Sequence, residues 1–223
     1  MSESPTTDRV DTRKLRVHAL FRMPELVGRV PGLAGTTVDT GLTRVERHPS
    51  VQVHSVYFDT EDLRLIRWGV TLRRRSGGPD EGWHLTLPID GAEPGIGDEM
   101  HLPLDTGEPG HVPETMVDVL TALVRRQPLL PVATLHIQRT SYLLCGAEDV
   151  PVGELVDDVV SIMDGDVVAG RFRELQLTTL TDDPTFLEPV RDLLGAHGAM
   201  PGTASKAGSA SSEPGTGRTR STA

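Results

Sequence analysis

The chain of 223 residues has a single cysteine, Cys145, so an intramolecular disulfide framework is excluded. It has no apolar run near the ~18 residues that a membrane-spanning helix needs. Its start, "MSESPTTDRVDTRKL", lacks the apolar core of a signal peptide. These deficits point to a cytoplasmic protein. Aromatic residues are scarce, with four Phe, two Tyr and two Trp, so the core must rest on Val, Leu, Ile and Met. Positive charge is also short: 22 Lys and Arg stand against 32 Asp and Glu, a formal net charge of −10. Such a surface repels nucleic acid and anionic membranes unless a local basic cluster overrides it. The eight histidines show no metal-ligand spacing, and neither a Gly-rich phosphate loop nor a Gly-x-Ser-x-Gly elbow occurs. Cys145, between two leucines and Gly146, reads as a small buried or strand-end residue.

What the sequence does have is alternation. "VQVHSVYF" (51–58) sets Val51 and Val53 against Gln52 and His54, the period of a strand with one buried face. "GVTLRRR" (69–75) places Val70 and Leu72 on one side, with Thr71, Arg73 and Arg75 on the other. "WHLTLPI" (83–89) puts Trp83, Leu85 and Leu87 opposite His84 and Thr86. Residues 132–144, 152–160 and 171–180 read as strands, and 13–20 as a weaker one. Three helices are expected. The first runs from a Thr60 N-cap to Gly69, the second from Pro113 to Arg126 with an apolar stripe of Met116, Val117, Leu120, Leu123 and Val124. The third starts at an Asp183 N-cap with Pro184 first, and Pro189 forces a kink or a late start. Residues 88–99 read as a loop, and the Gly/Ser/Thr/Ala-rich stretch from Gly202 onward is too polar to order itself.

Many strands with few helices indicate a largely antiparallel β sandwich or barrel. On an open sheet Arg73 and Arg75 would be a solvated polar row. In a barrel the same alternation supplies an inward row. "RRR" has neither the interleaved aromatics nor the broad basic footprint of a single-strand nucleic-acid binder.

Several segments, in order, resemble the CYTH domain, the triphosphate tunnel metalloenzyme family. "YFDTEDLRLIRWGVTLRRR" is similar to its Y-F-D-T, short helix, Gly and L-R-x-R. "GWHLTLP" is similar to its W-x-L-K-L-P strand. "DEMHLPL", "PLLPVATLHIQRTSYLL", "GELVDDVV" and "RFRELQLTTL" follow in the family's order, and Ser205-Lys206 matches its closing Ser-Lys. The resemblance implies a mainly β (α+β) fold: an antiparallel eight-stranded tunnel barrel over 10–207, with a few helices packed outside. It leaves a flexible N-terminus at 1–9 and a disordered tail at 208–223. It is closest to the single-domain or CHAD-linked bacterial branch. Family members act on triphosphates with Mg²⁺ or Mn²⁺. Phosphoryl transfer asks for charge neutralisation and geometry more than covalent help, and arginine's planar fork suits phosphate oxygens.

The resemblance implies a substrate-binding set of Lys14, Arg73, Arg75, Arg139 and Lys206. It also implies residual metal ligands at Glu99, Glu154, Asp158 (with or without Asp157) and Glu174. Arg173 is set aside, because alternation puts it on the face opposite Glu174. Arg139 by the same counting shares a face with Leu135 and Ile137.

The sequence also departs from the family. In "VDTRK" (10–14), Val10 and Thr12 stand where the E-x-E-x-K signature has glutamates. Thr86 replaces the lysine of the tryptophan strand, and Gln176 and Thr178 follow Glu174 where the family carries more acid. A hydroxyl or amide is a weaker Mg²⁺ ligand than a carboxylate, and valine is none. The expectation is a pseudoenzyme: a tunnel that binds a triphosphate or polyphosphate anion, with any Mg²⁺ or Mn²⁺ held weakly and catalysis lost or weak. The alternatives are an active metal-dependent triphosphatase, acting on tripolyphosphate or thiamine triphosphate, and a scaffold whose partner is a CHAD-domain protein.

Overall fold

A computed structural model describes residues 12–18, 21–31, 36–89, 97–107 and 110–202. The expected flexible N-terminus and tail, Val10 and Lys206 lie outside the described residues. The strands are β1 (Thr12–Val17), β2 (Arg29–Pro31), β3 (Thr37–Asp39), β4 (Arg44–Arg47), β5 (Val51–Asp59) and β6 (Thr71–Ser76). They continue with β7 (Gly82–Pro88), β8 (Gly97–Leu102), β9 (Leu130–Cys145), β10 (Pro151–Asp164), β11 (Val167–Thr179) and β12 (Met200–Pro201). The helices are α1 (Arg64–Arg67), α2 (Glu114–Val124) and α3 (Leu187–Ala196). The fold is mainly antiparallel β with few helices, as the alternation indicated. Among the described residues, eight strands have six residues or more.

The described chain forms two compact units. Of the described residues, the first takes those within 12–51, with Gln138–Val159 and Phe172–Gly202; the second takes those within Gln52–Ile137, with Val160–Arg171. In the first unit the strands run β12-β1-β11-β10-β9, with β4 also on β9, and β2 and β3 form a separate hairpin. Leu15 and Val17 of β1, Leu155 of β10, and Leu175 and Leu177 of β11 pack with Leu187, Val190, Leu193 and Leu194 of α3. In the second unit the order is β9-β5-β6-β7-β8. There Phe58, Leu72, Trp83 and Leu85 pack under Leu65 of α1 and Met116, Leu120 and Val124 of α2. Each fully buried side chain of this kind contributes about 1.5–3 kcal/mol relative to exposure. In each unit the strands therefore turn one apolar face to a helix, and the residues that alternate with it project from the other.

The helices depart from expectation at their starts. α1 begins at Arg64. The Thr60 hydroxyl does accept the Arg64 N–H at 3.0 Å, but the buried Asp59 carboxylate accepts those of Thr60, Leu65 and Ile66 at 2.7, 2.8 and 3.0 Å. The aspartate of Y-F-D-T is thus the stronger cap. α2 runs 114–124, shorter by a residue or two at each end than expected. α3 makes the late start expected of Pro189, at Leu187, which seats the proline in the first turn, where a missing N–H costs nothing; the departure is at Asp183, which caps no helix and accepts the Thr185 N–H at 3.0 Å. Strands β10 and β11 overrun their expected spans and join through Gly165, whose φ is 57°. Gly165-Asp166, the two residues between the strands with glycine first, is a hairpin signal. β8 starts at Gly97, inside the expected loop.

Candidate functional site

In the second unit, β6 divides its arginines between two faces. Leu72 goes into the helix-covered core, so Thr71, Arg73 and Arg75 project from the other side. Cross-strand register places Arg73 between Tyr57 of β5 and His84 of β7, and Arg75 between Ser55 and Gly82. Arg74 lies between Val56 and Trp83 on the opposite face and is half-buried. This is the division that alternation predicts.

The Arg75 side chain is only 3% exposed, and its Nη1 donates to Asp80 Oδ2. Arg73 is less firmly engaged. Its Nη2 stands 3.5 Å from Glu99 Oε1, at the outer limit of a hydrogen bond. Its Nε is buried and meets no acceptor among the described residues. Glu99 is drawn mainly to His84, whose Nδ1 is 2.8 Å from Oε1. That hydrogen bond, more than the nearby Arg73 charge, holds the Glu99 carboxyl below its ordinary range. The other ring nitrogen of His84, Nε2, is 2.9 Å from the Asp80 carbonyl. A carbonyl only accepts, so Nε2 carries a hydrogen, and the Nδ1–carboxyl contact needs a further proton on one of its partners.

In the first unit, β1 and β11 pair antiparallel, with Thr12 opposite Thr178, Lys14 opposite Gln176 and Arg16 opposite Glu174. Leu15, Leu175 and Leu177 take the other face into the core. The Thr12 and Thr178 hydroxyls are 3.3 Å apart, and Glu174 is 5% exposed. On the neighbouring strands Arg139 grips the buried Asp158 through both oxygens, Nε to Oδ1 at 2.8 Å and Nη2 to Oδ2 at 2.7 Å. Arg173 grips Asp157 in the same manner, at 2.7 and 2.5 Å, and also donates to the Phe21 carbonyl at 2.7 Å. Because 157 and 158 alternate, the two clamps lie on opposite faces of β10, and setting Arg173 apart from Glu174 is consistent with this.

Within the units, then, Arg73 meets Glu99 and Arg139 meets Asp158, while Lys14 and Glu174 lie two residue pairs apart along the β1–β11 ladder. Glu154 is half-buried, and alternation gives it the same face of β10 as Asp158. Among the described residues, no three His, Cys, Asp or Glu side chains are grouped so as to hold a metal ion. Asp158 has both oxygens engaged by a guanidinium, and a hydroxyl pair occupies the Thr12–Thr178 position. The donors present therefore fit a divalent ion poorly, since Mg²⁺ demands near-octahedral oxygen ligation.

Three residues of these faces escaped the sequence reading. Arg16 continues the Lys14 row two positions on, and its guanidinium lies 4.2 Å over the Phe172 ring; the period of two could have found it. His84 was placed on the correct face by alternation without a role. Asp80, the partner of Arg75, sits in a turn and left no periodic signal.

The family model of the CYTH domain matches residues 34–194. A protein of Mycobacterium tuberculosis strain H37Rv, described as uncharacterized, is 36% identical over 181 residues, which are 74% of this chain and 34% of that protein. Its counterpart in strain CDC 1551 / Oshkosh matches equally. The chain thus spans about a third of the length of the curated relatives it matches. Among solved structures, a Hippeastrum protein proposed as an adenylyl cyclase, and described as having a dominant triphosphatase activity, superposes with a TM-score of 0.48. It is 14% identical, over 91% of this chain and 95% of that one. A Bacillus halodurans protein proposed as an adenylate cyclase superposes with a TM-score of 0.43 at 17% identity, over 66% and 75%.

Proposed function

The chain belongs to the CYTH domain family, and from that premise we propose that it binds the phosphate chain of a triphosphate or polyphosphate anion, with catalysis lost or weak. The observation that carries this reading is Arg73. It shares a face with Arg75, is three-quarters buried, and keeps a buried Nε donor without an acceptor among the described residues. An unsatisfied buried donor costs about 1–3 kcal/mol, and an anionic oxygen that supplies its acceptor recovers that cost as affinity. Lys14 of the first unit and Lys206 are proposed as anion contacts in their own right, while Arg139 is already clamped on Asp158.

The loss of catalysis is supported by the acids. Members of the family are metal-dependent, and a metal when bound would supply charge neutralisation at the phosphate chain. Of the acids proposed as ligands, Glu99 is held by His84 and Asp158 by both donors of Arg139. The proposal places this module in the cytoplasm of a bacterium. It keeps a CHAD-domain protein as a candidate partner, which rests on the family resemblance alone.

The test is calorimetric titration of tripolyphosphate into the full chain at low salt, with and without Mn²⁺. Saturating heat in both, weakened at least tenfold by Arg73→Ala, is the expected result. No binding at low salt overturns the reading. Sustained phosphate release with Mn²⁺, abolished by Glu174→Ala, overturns the loss of catalysis and makes the protein a triphosphatase.

A further inference from the structure

A corner of the second unit, outside the faces described above, holds features that anion binding does not use. Trp68, the residue that caps the C-terminal end of α1, is 66% exposed, and every other Phe, Tyr or Trp side chain is buried or half-buried. Fraying does not account for this exposure, because the Trp68 N–H donates back to the Arg64 and Leu65 carbonyls at 3.2 and 3.0 Å. The indole borders a groove of about 440 Å³ that Arg64, Arg67, Leu123, Arg125 and Asp62 also line. That volume is of the order found for binding clefts. Arg64 braces the groove from beneath by donating to the Val124 carbonyl at the end of α2, at 3.2 Å.

Charge and backbone both single out this corner. The chain carries a net charge of −10, yet three arginines line the groove against one carboxylate. Asp62 is already held by Arg64 at 3.0 Å and Arg67 at 3.1 Å. Arg125 and Arg126, both exposed, close α2 with φ of 49° and 67°, and Leu63, ahead of α1, has φ of 54°. These are three of the five non-glycine residues with positive φ among the described residues. A helix end in this conformation ordinarily selects glycine. Keeping arginine at two successive left-handed positions sacrifices stability for side chains, and strain of this kind gathers at functional sites.

We propose that this corner docks an acidic segment of a partner protein, with carboxylates on Arg67 and Arg125 and an apolar side chain against the Trp68 indole and Leu123. Exposed Trp and Arg are the residues in which interface binding energy concentrates. The patch is too small for the broad basic footprint of a nucleic-acid surface, and its charge complements a carboxylate-bearing chain.

Trp68 reports on its own occupancy, because the other tryptophan, Trp83, is 1% exposed. The experiment titrates the full chain with a synthetic peptide of Glu and Asp interspersed with Leu, reading tryptophan emission and acrylamide quenching. An oligonucleotide of the same charge is titrated in parallel, and sedimentation follows self-association. The expected results are a blue shift and loss of quenching with the peptide, weakened by added salt, with at least tenfold lower affinity in Arg125→Glu and loss of binding in Trp68→Ala. Arg125→Gly is expected to raise the thermal midpoint while weakening the peptide, the separation a merely structural arginine would not give. No spectral change with the peptide, a change with the oligonucleotide alone, occlusion of Trp68 by self-association, or wild-type affinity in Arg125→Glu overturns the proposal.

Discussion

Arg139 in the first unit and Arg73 in the second each meet a carboxylate from another strand, and their surroundings separate two uses of one side chain. Arg139 spends two donors on one buried carboxylate, in the parallel geometry that makes such pairs strong. Arg73 has one long contact to a carboxylate that belongs mainly to His84, and a buried donor with no acceptor among the described residues. A guanidinium whose partner is built in serves the fold. One whose partner is missing leaves unused hydrogen-bonding capacity, and the chain tolerates that cost only if something else recovers it.

The comparison breaks most severely at Asp158. Asp158→Ala leaves the Arg139 charge buried without its carboxylate and is expected to cost about 3–5 kcal/mol in urea unfolding. The double variant Arg139→Met/Asp158→Leu, which removes both charges, should recover most of that loss. A single variant as stable as the wild type would show that Arg139, like Arg73, waits for an external anion. Arg73→Met is next in size. Its loose, part-exposed pair with Glu99 predicts a stability change within about 1 kcal/mol in the same unfolding assay, while tripolyphosphate affinity falls.

The smallest effect is that of pH through Glu99. Its folded-state value is depressed, first by the His84 hydrogen bond, from an ordinary 4.5. The stability it contributes is therefore full above about pH 4.5 and is lost as pH falls through the lower folded value. Glu99→Gln should flatten that acid limb in unfolding midpoints measured downward from pH 5; an unchanged limb would remove Glu99 from the account.

Much of the architecture was open to reading from the linear pattern. Leu72 between Thr71 and Arg73, and Trp83 and Leu85 flanking His84, assign the faces of β6 and β7 because side-chain direction in a strand has a period of two. The same rule separated Arg173 from Glu174. Element ends were less legible. α1 takes its cap from Asp59, five residues ahead of its first turn, and α3 begins four residues after its apparent cap because Pro189 is tolerated only near a helix start. The hairpin β2–β3 is three residues a side, too short for alternation to register.

Side-chain partners were the least legible part of the site. Asp158 lies 19 residues from Arg139, and Glu99 lies 15 from His84. Which carboxylate meets which cation depends on the register of paired strands, and local periodicity carries no information about it.

The sequence by itself determined the β-rich class, the face on which each strand residue projects, and the absence of carboxylates at the positions of the family's first-strand signature. These follow from local sterics and residue chemistry. Only the tertiary structure decided that Arg139 is satisfied while Arg73 keeps an idle donor, that Glu99 answers to His84, and that Trp68 stands in solvent among arginines. Those outcomes depend on which distant segments the strand pairing and helix packing bring within hydrogen-bond distance.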